Sequence, residues 1–263
     1  MRLMVTGRTG QVSRALQALA GPDLEVVTVG RPEVDLADPA ALERAVTAVA
    51  PHVVASVGAY TAVDTAETDE ETARRVNAIG PGALARACAA AGVPIVHLST
   101  DYVFDGTKSA PYLESDPVSP VSVYGRTKAE GEALIGAAGG RHAVLRTAWV
   151  FDATGKNFLR TMLRLATVKP RVGVVDDQRG SPTYAPFIAD AIVRAGRALG
   201  VEGGGAQSGV YHLTCRGHCT WREFAEAIFA GSAARGGPSV PVDAITTAQY
   251  PTAARRPANS VLD

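Results

Sequence analysis

Two residues of the segment YGRTK have the types and spacing of a proton-transfer pair. Tyr124 and Lys128 are four positions apart, so on a helix their side chains lie on the same face, about one turn apart. A phenol with its ordinary pKa of about 10 is a poor acid at neutral pH. A neighbouring ammonium stabilises the phenolate and lowers that pKa. The pair therefore predicts a Tyr124 that protonates a developing alkoxide.

A glycine-rich turn near the start of the chain indicates a nucleotide site. The segment MRLMVTGRTGQVSRAL places Gly7 and Gly10 after an apolar strand pattern and before a helical pattern. Gly7 permits a tight turn, Gly10 lets backbone N–H groups approach a pyrophosphate, and the helix N-terminus contributes a favourable dipole. Ser13 stands where a third glycine is usual, which predicts a helix slightly further from the sheet.

The end of the second predicted strand bears on the choice of cofactor. Dinucleotide folds normally carry an acidic residue there for the ribose, whereas this chain has Gly30 and Arg31. An arginine beside a missing carboxylate suits the 2′-phosphate of NADPH, so NADPH is predicted, with NADH as the alternative. A solvated Arg31 in the loop before Pro32 is the structural alternative. Asp35 and Leu36, just beyond, are expected to flank the adenine.

Polar residues also follow the fourth predicted strand, in the segment HLSTDYVFDG at 97–106. Open α/β sheets bind ligands at the carboxyl ends of their strands. Either Ser99 or Thr100 can donate a hydrogen bond to a substrate carbonyl there, and the spacing does not decide between them. A hydroxyl that only caps the strand end is the structural alternative.

These residues must be positioned by alternating strands and helices. Short runs rich in Val, Leu and Ile alternate with longer Ala-rich helical stretches in the first half of the chain, which is typical of βαβ units and a buried parallel sheet. The predicted strands are Leu3–Thr6, Glu25–Val29, His52–Val57, Ile95–Ser99 and Ala143–Thr147. The predicted helices are Gly10–Ala20, Ala40–Val49, Glu67–Ala91 and Val123–Ala137. The fold class is α/β, a Rossmann-type doubly wound parallel sheet with a smaller C-terminal substrate-binding lobe.

The alternation breaks after Thr147, which divides the chain into two predicted parts. A dinucleotide-binding domain occupies 1–148, with a return strand near 171–182, and 149–263 form mainly the substrate-binding lobe. The elements predicted in the lobe are a helix over Asn157–Ala166, a strand over Val172–Val175, a helix over Ala185–Leu199 and a turn at 203–205. Thr220 is predicted to cap a further helix through Ala230, which Gly231 would end.

Composition limits the classes of partner and location. The 263 residues have zero net charge, so neither nucleic acid nor a membrane surface is a predicted partner. No apolar run reaches the roughly 18 residues that span a bilayer. Cys88, Cys215 and Cys219 are an odd count without framework spacing, which predicts a reduced, cytoplasmic protein. His212, Cys215, His218 and Cys219 have a spacing that can hold zinc, but core and loop roles are favoured and no metal is predicted.

Five segments together resemble a known family. STDYVFDG, YGRTKAEGE, RTAWVF, DDQRGSPTY and YPTAARRPANS, in this order and spacing, resemble the dTDP-4-dehydrorhamnose reductases, which are extended short-chain dehydrogenase/reductases. The likeness runs through the whole chain. It implies reduction by NADPH or NADH of the 4-keto group of dTDP-4-dehydro-L-rhamnose, a dTDP-linked 6-deoxy-L-hexose, to give dTDP-L-rhamnose.

The resemblance also implies roles for individual residues. Thr100, Tyr124 and Lys128 would form the catalytic triad, and Asn77 would support the lysine through its backbone. The implied cofactor contacts, besides Tyr124 and Lys128, are Gly7, Thr9, Gly10, Gln11, Val12, Ala59, Tyr60 and Thr61. The implied substrate contacts are Thr100, Asp101, Tyr102, Trp149, Asn157 and Arg256, with Asn259 in the same C-terminal segment as Arg256. Ser56 and Gly58 replace the Asn and Ala that usually precede the cofactor loop.

Two departures from the family pattern carry expectations of their own. Some relatives are dimers bridged by Mg²⁺ through glutamates of the first helix, the helix after GSPT and the C-terminal region. Ala15 and Pro186 stand at the matching positions and offer no side-chain oxygen, so no Mg-bridged dimer is predicted. The chain ends at SVLD, where family members usually continue, so the lobe is expected to be shortened.

Two other functions remain open. A 4-ketoreductase for another dTDP-deoxysugar would have the same catalytic residues and differ only in the small lobe. A non-catalytic regulatory subunit would keep the fold, but it has no need of the proton-transfer set Thr100, Tyr124 and Lys128.

Overall fold

A six-stranded parallel sheet carries the residues singled out above. The computed structural model describes residues 1–200 and 207–263, so the predicted turn at 203–205 lies outside the described residues. The strands are β1 (Arg2–Thr6), β2 (Glu25–Val29), β3 (Val53–Ser56), β4 (Ile95–Thr100), β5 (His142–Thr147), β6 (Val150–Phe151), β7 (Val172–Val175), β8 (Arg179–Gly180), β9 (Thr183–Tyr184), β10 (Gly209–His212), β11 (Cys219–Thr220) and β12 (Val242–Ile245). The helices are α1 (Gln11–Ala18), α2 (Pro39–Val49), α3 (Val63–Ala66), α4 (Glu70–Arg74), α5 (Gly80–Ala90), α6 (Val123–Ala137), α7 (Phe158–Ala166), α8 (Ala185–Gly200) and α9 (Trp221–Ala233).

The sheet has helices on both faces. Its strands lie in the order β2, β1, β3, β4, β5, β10. Leu3 and Val5 of β1 share one buried cluster with α1 and α8, whereas Met4 between them packs with α2 and α5 on the other face. Successive strand residues point to opposite faces, and both faces are covered here, so the strand sequences are continuously apolar. The predicted α/β class with a doubly wound parallel sheet is confirmed.

The position predicted for the return strand is wrong. The segment that extends the sheet beside β5 is β10 at Gly209–His212, not a stretch near 171–182. β7 forms at Val172–Val175 as predicted, but it pairs with β12. Val172 and Val174 are buried in a separate cluster with residues of α7 and α9, so a core within the lobe satisfies their apolar side chains. The division of the chain at 148 stays an interpretation.

The long helix predicted over Glu67–Ala91 is interrupted. After α3 and α4 the chain makes one π-helical turn at Arg75–Ile79 and then continues as α5. Gly80 follows this turn, and a side-chain carbon there would collide with the backbone oxygen of Leu36. The interruption is explained by tertiary contacts of Asn77 within the turn, which are described with the site below.

The C-terminal region packs α7 and α9 against β7 and β12. Thr220 caps α9 as predicted, with Glu223 completing a capping box. The helix continues through Gly231 to Ala233, so the predicted end at Gly231 is wrong. Asn157 is the N-cap of α7 rather than its first residue. Of the helices in the described ranges, none is long and apolar enough to cross a membrane.

Candidate active site

The segment YGRTK begins α6, which places Tyr124 at the carboxyl end of β4. Ser122 is the N-cap, and its hydroxyl accepts a hydrogen bond from the Gly125 backbone N–H at 3.2 Å. A side-chain carbon at Gly125 would collide with the backbone oxygen of Tyr102, so glycine permits the helix to approach the turn after β4. The rings of Tyr102 and Tyr124 meet edge to face, 5.9 Å apart.

Thr100 is the hydroxyl residue that faces Tyr124. Burial raises the pKa of the Tyr124 phenol to about 12, and the nearby Thr100 hydroxyl partly opposes this rise. The Ser99 hydroxyl instead donates a hydrogen bond to the Glu132 carboxylate of α6. Of the two candidates that the sequence left open, the geometry favours Thr100.

The expected effect of Lys128 on the Tyr124 pKa is wrong for this structure. The Lys128 amine is buried and donates to the backbone oxygen of Leu98 at 2.7 Å, and it lies 3.1 Å from His97 Nε2. Burial lowers the pKa of Lys128 to about 8, and Glu132 partly opposes this shift. Since burial penalises the charged form of either group, the phenol and the amine both shift towards their neutral forms.

Asp101 lies behind Thr100 rather than at the surface of the site. It is buried, and its Oδ1 accepts a hydrogen bond from the Thr100 hydroxyl at 3.0 Å. Within the described residues its Oδ2 has no hydrogen-bond partner. Burial raises the pKa of this carboxyl to about 6, and the neighbouring Ser260 and Thr100 hydroxyls partly offset the rise. Its predicted contact with substrate is therefore more indirect than that of Thr100.

Tyr102, whose ring contacts that of Tyr124, lies close to Arg256 of the C-terminal segment. Burial raises the pKa of the Tyr102 phenol, and the charge of the nearby Arg256 guanidinium partly opposes this rise. Arg256 also pairs with Asp64 of α3 at 2.8 Å. The C-terminal segment is thereby held against the catalytic edge of the sheet, and Arg256 is half-buried rather than solvated.

The glycine turn has the shape that a pyrophosphate requires. Gly7 has φ of +89°, and a side-chain carbon there would lie 3.3 Å from Ser13 Oγ and 3.4 Å from Gly58 Cα. Gly10 is the N-cap of α1, and among the described residues no side chain caps this helix. The N–H groups of its first turn, which begins at Gln11 and buried Val12, are therefore available to an anion. These residues fit the pyrophosphate of a dinucleotide.

Two arginines flank the end of β2. Arg31 is exposed, as a residue must be to meet a 2′-phosphate. Arg8, which the sequence reasoning missed, extends past Gly30 and pairs with Glu33 at 2.7 Å. Its position inside the glycine turn was the available signal. Asp35 accepts a hydrogen bond from the Ala37 backbone, and Leu36 packs against Gly58 beside the turn.

Asn77 joins the predicted cofactor loop at 59–61 to α6. Its Oδ1 accepts a hydrogen bond from the Tyr60 backbone N–H at 2.8 Å. Its Nδ2 donates to the Tyr60 backbone oxygen at 3.1 Å and to Thr127 Oγ1 at 3.2 Å. Tyr60 in turn donates its phenol proton to Asp69. The bonds that the structure shows come from the Asn77 side chain, whereas the resemblance implied a role for its backbone.

The remaining predicted substrate residues contact other parts of the chain. Trp149 has φ of +46° and stacks on Trp221 with ring centroids 3.5 Å apart. Asn157 donates its amide to Gln11 Oε1 at 2.9 Å and caps α7, so the structure places it beside the nucleotide turn. Asn259 donates to the Lys108 backbone oxygen. Across 1–200 and 207–263, no cluster of His, Cys, Asp and Glu forms a metal site.

The comparisons with known proteins agree on one family. The RmlD substrate binding domain family matches residues 1–263. A dTDP-4-dehydrorhamnose reductase of Sinorhizobium fredii is 45% identical over 262 residues, 100% of this chain and 88% of that protein. A "Probable dTDP-4,6-dihydroxy-2-methyloxan-3-one 4-ketoreductase" of Streptomyces antibioticus is 40% identical over 264 residues, 100% of this chain and 86% of that protein. The crystal structure of a Bacillus anthracis dTDP-4-dehydrorhamnose reductase in complex with NADP has a TM-score of 0.92 and 31% identity, and the match covers 100% of this chain and 90% of that chain.

Proposed function

The chain belongs to the dTDP-4-dehydrorhamnose reductase family, and from this premise we propose a role in the reaction for each residue of the site. It is an NAD(P)H-dependent oxidoreductase that reduces dTDP-4-dehydro-L-rhamnose to dTDP-L-rhamnose. The observation that carries the assignment of residues is the meeting of Thr100 and Tyr124 at the carboxyl end of β4, with Lys128 one helical turn behind.

Tyr124 is the proton donor in this proposal. Bound NAD(P)H supplies a hydride to the carbonyl carbon at position 4 of the sugar. Tyr124 gives its phenolic proton to the oxygen of that carbonyl, which becomes the hydroxyl of the product. With a pKa of about 12 in the ligand-free chain, the phenol holds its proton at neutral pH, as an acid in a reduction must. When substrate binds, the Thr100 hydroxyl turns its proton from Asp101 Oδ1 to the same oxygen and orients the carbonyl.

The glycine turn and the loop at 59–61 hold the cofactor in this proposal. Gly7 and Gly10 leave room for the pyrophosphate at the start of α1, where the helix dipole favours an anion. Arg31 meets the 2′-phosphate and makes NADPH the preferred cofactor, with NADH accepted less well. Ala59, Tyr60 and Thr61 cover the cofactor, and Asn77 fixes this loop through the Tyr60 backbone.

Tyr102 and Arg256 are the proposed substrate contacts nearest to Tyr124. The guanidinium has five donors, and its ion pair with Asp64 fixes its position near Tyr102. Trp149 offers an aromatic face further out, on the lobe. Asn157 is a weaker candidate, because its amide already makes hydrogen bonds to Gln11, Asp152 and Thr154.

A second function is supported by the Streptomyces antibioticus relative. That relative is named as a probable 4-ketoreductase for a different dTDP-linked sugar, and the proton-transfer residues would serve both reactions equally. The two functions differ only in which sugar the lobe accepts.

A direct assay separates these functions. Purified protein is incubated with NADPH and, in parallel, with dTDP-4-dehydro-L-rhamnose and a panel of other dTDP-4-keto sugars, and loss of NADPH absorbance is followed together with product mass. The proposal expects the highest kcat/KM with dTDP-4-dehydro-L-rhamnose. A higher value with another sugar would establish the second function, and no turnover with any of them would leave only a regulatory role.

The proposal places the enzyme in the cytoplasm, acting on a small molecule rather than on nucleic acid or a membrane. Two features support this location. Cys88, Cys215 and Cys219 are free thiols, as is usual in a reducing compartment, and a net charge of zero does not favour nucleic acid or an anionic membrane surface as a partner.

A further inference from the structure

A row of three buried polar side chains leads from β3 through β4 to Lys128. Ser56 Oγ lies 3.0 Å from His97 Nδ1, and His97 Nε2 lies 3.1 Å from Lys128 Nζ. Ser56, His97 and Lys128 are only 2%, 0% and 2% exposed. Bulk water therefore does not reach their polar atoms, and buried polar groups of this kind are hydrogen-bonded inside the protein.

The lysine needs acceptors at this depth. An ammonium has three protons to donate, and burying such a charge without partners is costly. The Leu98 backbone oxygen accepts one hydrogen bond at 2.7 Å. His97 Nε2 is placed to accept the second, which leaves one proton of the ammonium without an acceptor among the described residues.

This arrangement determines which ring nitrogen of His97 carries the proton. A proton on Nε2 would point at the ammonium, so Nε2 must present its lone pair and Nδ1 must carry the proton. The Ser56 hydroxyl accepts that proton's hydrogen bond and fixes the tautomer. Burial first, and then the charge of Lys128, hold the pKa of His97 well below its ordinary value, so the imidazole stays neutral at physiological pH.

The other charged and polar side chains around Lys128 form hydrogen bonds with other partners. Glu132 lies one turn further along α6, but it is bound by Arg146 of β5 at 2.7 Å and by Ser99 of β4. Asp101 after β4 bonds to Thr100, and Asn77 in the π-helical turn bonds to Tyr60 and Thr127. His97 is therefore the one side chain among the described residues with a hydrogen bond to the Lys128 amine.

We propose that His97 is a positioning residue for the reductase: as a neutral imidazole fixed by Ser56, it accepts a hydrogen bond from Lys128 and aims the ammonium at the Tyr124 side of the site. The inference rests on the proposed function for its effect on turnover. The geometric part, the tautomer and the hydrogen bond, does not depend on which sugar is reduced.

The variants separate this role from simple packing. His97→Leu keeps an apolar side chain of similar size but has no acceptor. His97→Gln restores an acceptor oxygen at about the distance of Nε2. His142→Leu is the matched control, because His142 also lies on a strand of the sheet but bonds to the Gly140 backbone oxygen, not to Lys128.

The readout is the pH profile of kcat/KM, which reports groups of the free enzyme. The charged form of Lys128 is lost as pH rises through its pKa of about 8, so the parent's activity falls on that side. Losing a hydrogen bond to the ammonium makes its deprotonation easier, so the fall in His97→Leu should move about one to two pH units lower. His97→Gln should return the profile close to that of the parent, and His142→Leu should not move it.

A second measurement covers the case in which His97→Leu does not fold. Nitrogen-15 NMR of the folded parent, with the His97 signals identified through His97→Gln, should show Nδ1 protonated and Nε2 unprotonated throughout the range in which the protein is folded. A titration near the ordinary histidine pKa, or a proton on Nε2, would overturn the proposal. So would an unshifted pH profile in a folded, active His97→Leu. If the parent reduces none of the sugars, the proposed function fails, and the NMR result still decides the tautomer.

Discussion

Tyr124 and Lys128 carry opposite pKa shifts that share one cause. Burial raises the pKa of the phenol to about 12 and lowers that of the amine to about 8. In each case the neutral form gains, because the interior stabilises charge less well than water does. The ligand-free site therefore keeps the proton on the phenol, and transfer has to wait for a substrate oxygen that gains negative charge beside it.

Replacement of Tyr124 by phenylalanine tests its role as the acid. Tyr124→Phe removes one hydroxyl and keeps the ring that packs against Tyr102. Loss of a general acid costs roughly 10² to 10⁴ in rate, so we expect kcat to fall by that factor. NADPH affinity, measured by fluorescence titration, should stay nearly unchanged. Near-normal turnover in this variant would refute the assignment.

Arg31 is expected to decide between the two cofactors. A charge-assisted hydrogen bond to a phosphate is stronger than a neutral one, so its loss in Arg31→Ala should weaken the preference for NADPH over NADH by roughly tenfold or more. The measurement is kcat/KM with each cofactor. Arg197→Ala is the matched control, because Arg197 of α8 lies near Met1 and Pro94, at the amino ends of β1 and β4. An unchanged preference in Arg31→Ala, or equal kcat/KM for both cofactors in the parent, would contradict the role.

At the scale of elements, the sequence predicts best what local pattern decides. β1 to β5 were found close to their predicted bounds, because strands buried on both faces must be apolar throughout. The capping of α9 by Thr220 followed from a hydroxyl residue directly before a helical pattern. The assignment of Tyr124 and Lys128 to one helix face likewise needed only their spacing.

Elements that depend on distant partners could not be predicted. The π-helical turn at Arg75–Ile79 places Asn77 against Tyr60 and Thr127, which lie 17 and 50 positions away. β7 and β10 are both short strands of four residues, and their sequences do not show which one joins the main sheet. In the site, the hydrogen bond of His97 to Lys128 spans 31 positions, and no spacing rule connects them.

A buried ion pair couples α6 to β5. Arg146 and Glu132 form hydrogen bonds at 2.7 to 3.2 Å, with side chains 5% and 7% exposed. Removing one partner of such a pair costs about 3–5 kcal/mol, because the other charge stays buried and unpaired. We expect Arg146→Met to lower the free energy of unfolding by that amount, as measured by urea denaturation.

The double variant is the control for this prediction. Arg146→Met with Glu132→Leu removes both charges and should recover a large part of the loss, since well-packed apolar residues often replace a buried pair at little cost. Ser99 would still lose its acceptor, so full recovery is not expected. If the loss of stability in the double variant, measured from the parent, equalled the sum of the losses in Arg146→Met and Glu132→Leu alone, the pair would not act as a unit.

At the scale of the whole molecule, the C-terminal segment completes the catalytic edge. Arg256 reaches Asp64 across 192 positions, and Asn259 bonds to the loop at Lys108. Tyr112 and Leu262 form an isolated parallel bridge. The site is thus assembled from distant parts of the chain. Any change that loosens residues 252–263 should shift Arg256 and thereby change the surroundings of Tyr102.

Assembly of the molecule should not depend on magnesium. The resemblance implies that some relatives form dimers bridged by Mg²⁺, with a glutamate in the first helix. In this chain Ala15 stands there and is buried with Ile188 of α8, so the position neither offers an oxygen nor faces solvent. Pro186 at the second position has no side-chain oxygen either, and Mg²⁺ requires oxygen ligands in near-octahedral array.

We therefore predict that the mass measured by multi-angle light scattering is the same in EDTA as in excess MgCl₂, whether the protein is monomeric or associates through apolar contacts. The thermal melting temperature should also be unchanged, because a cation that bound only the folded dimer would stabilise it by mass action. A dimer that dissociates on chelation and re-forms when Mg²⁺ is added would show that other oxygen ligands have replaced the missing glutamates.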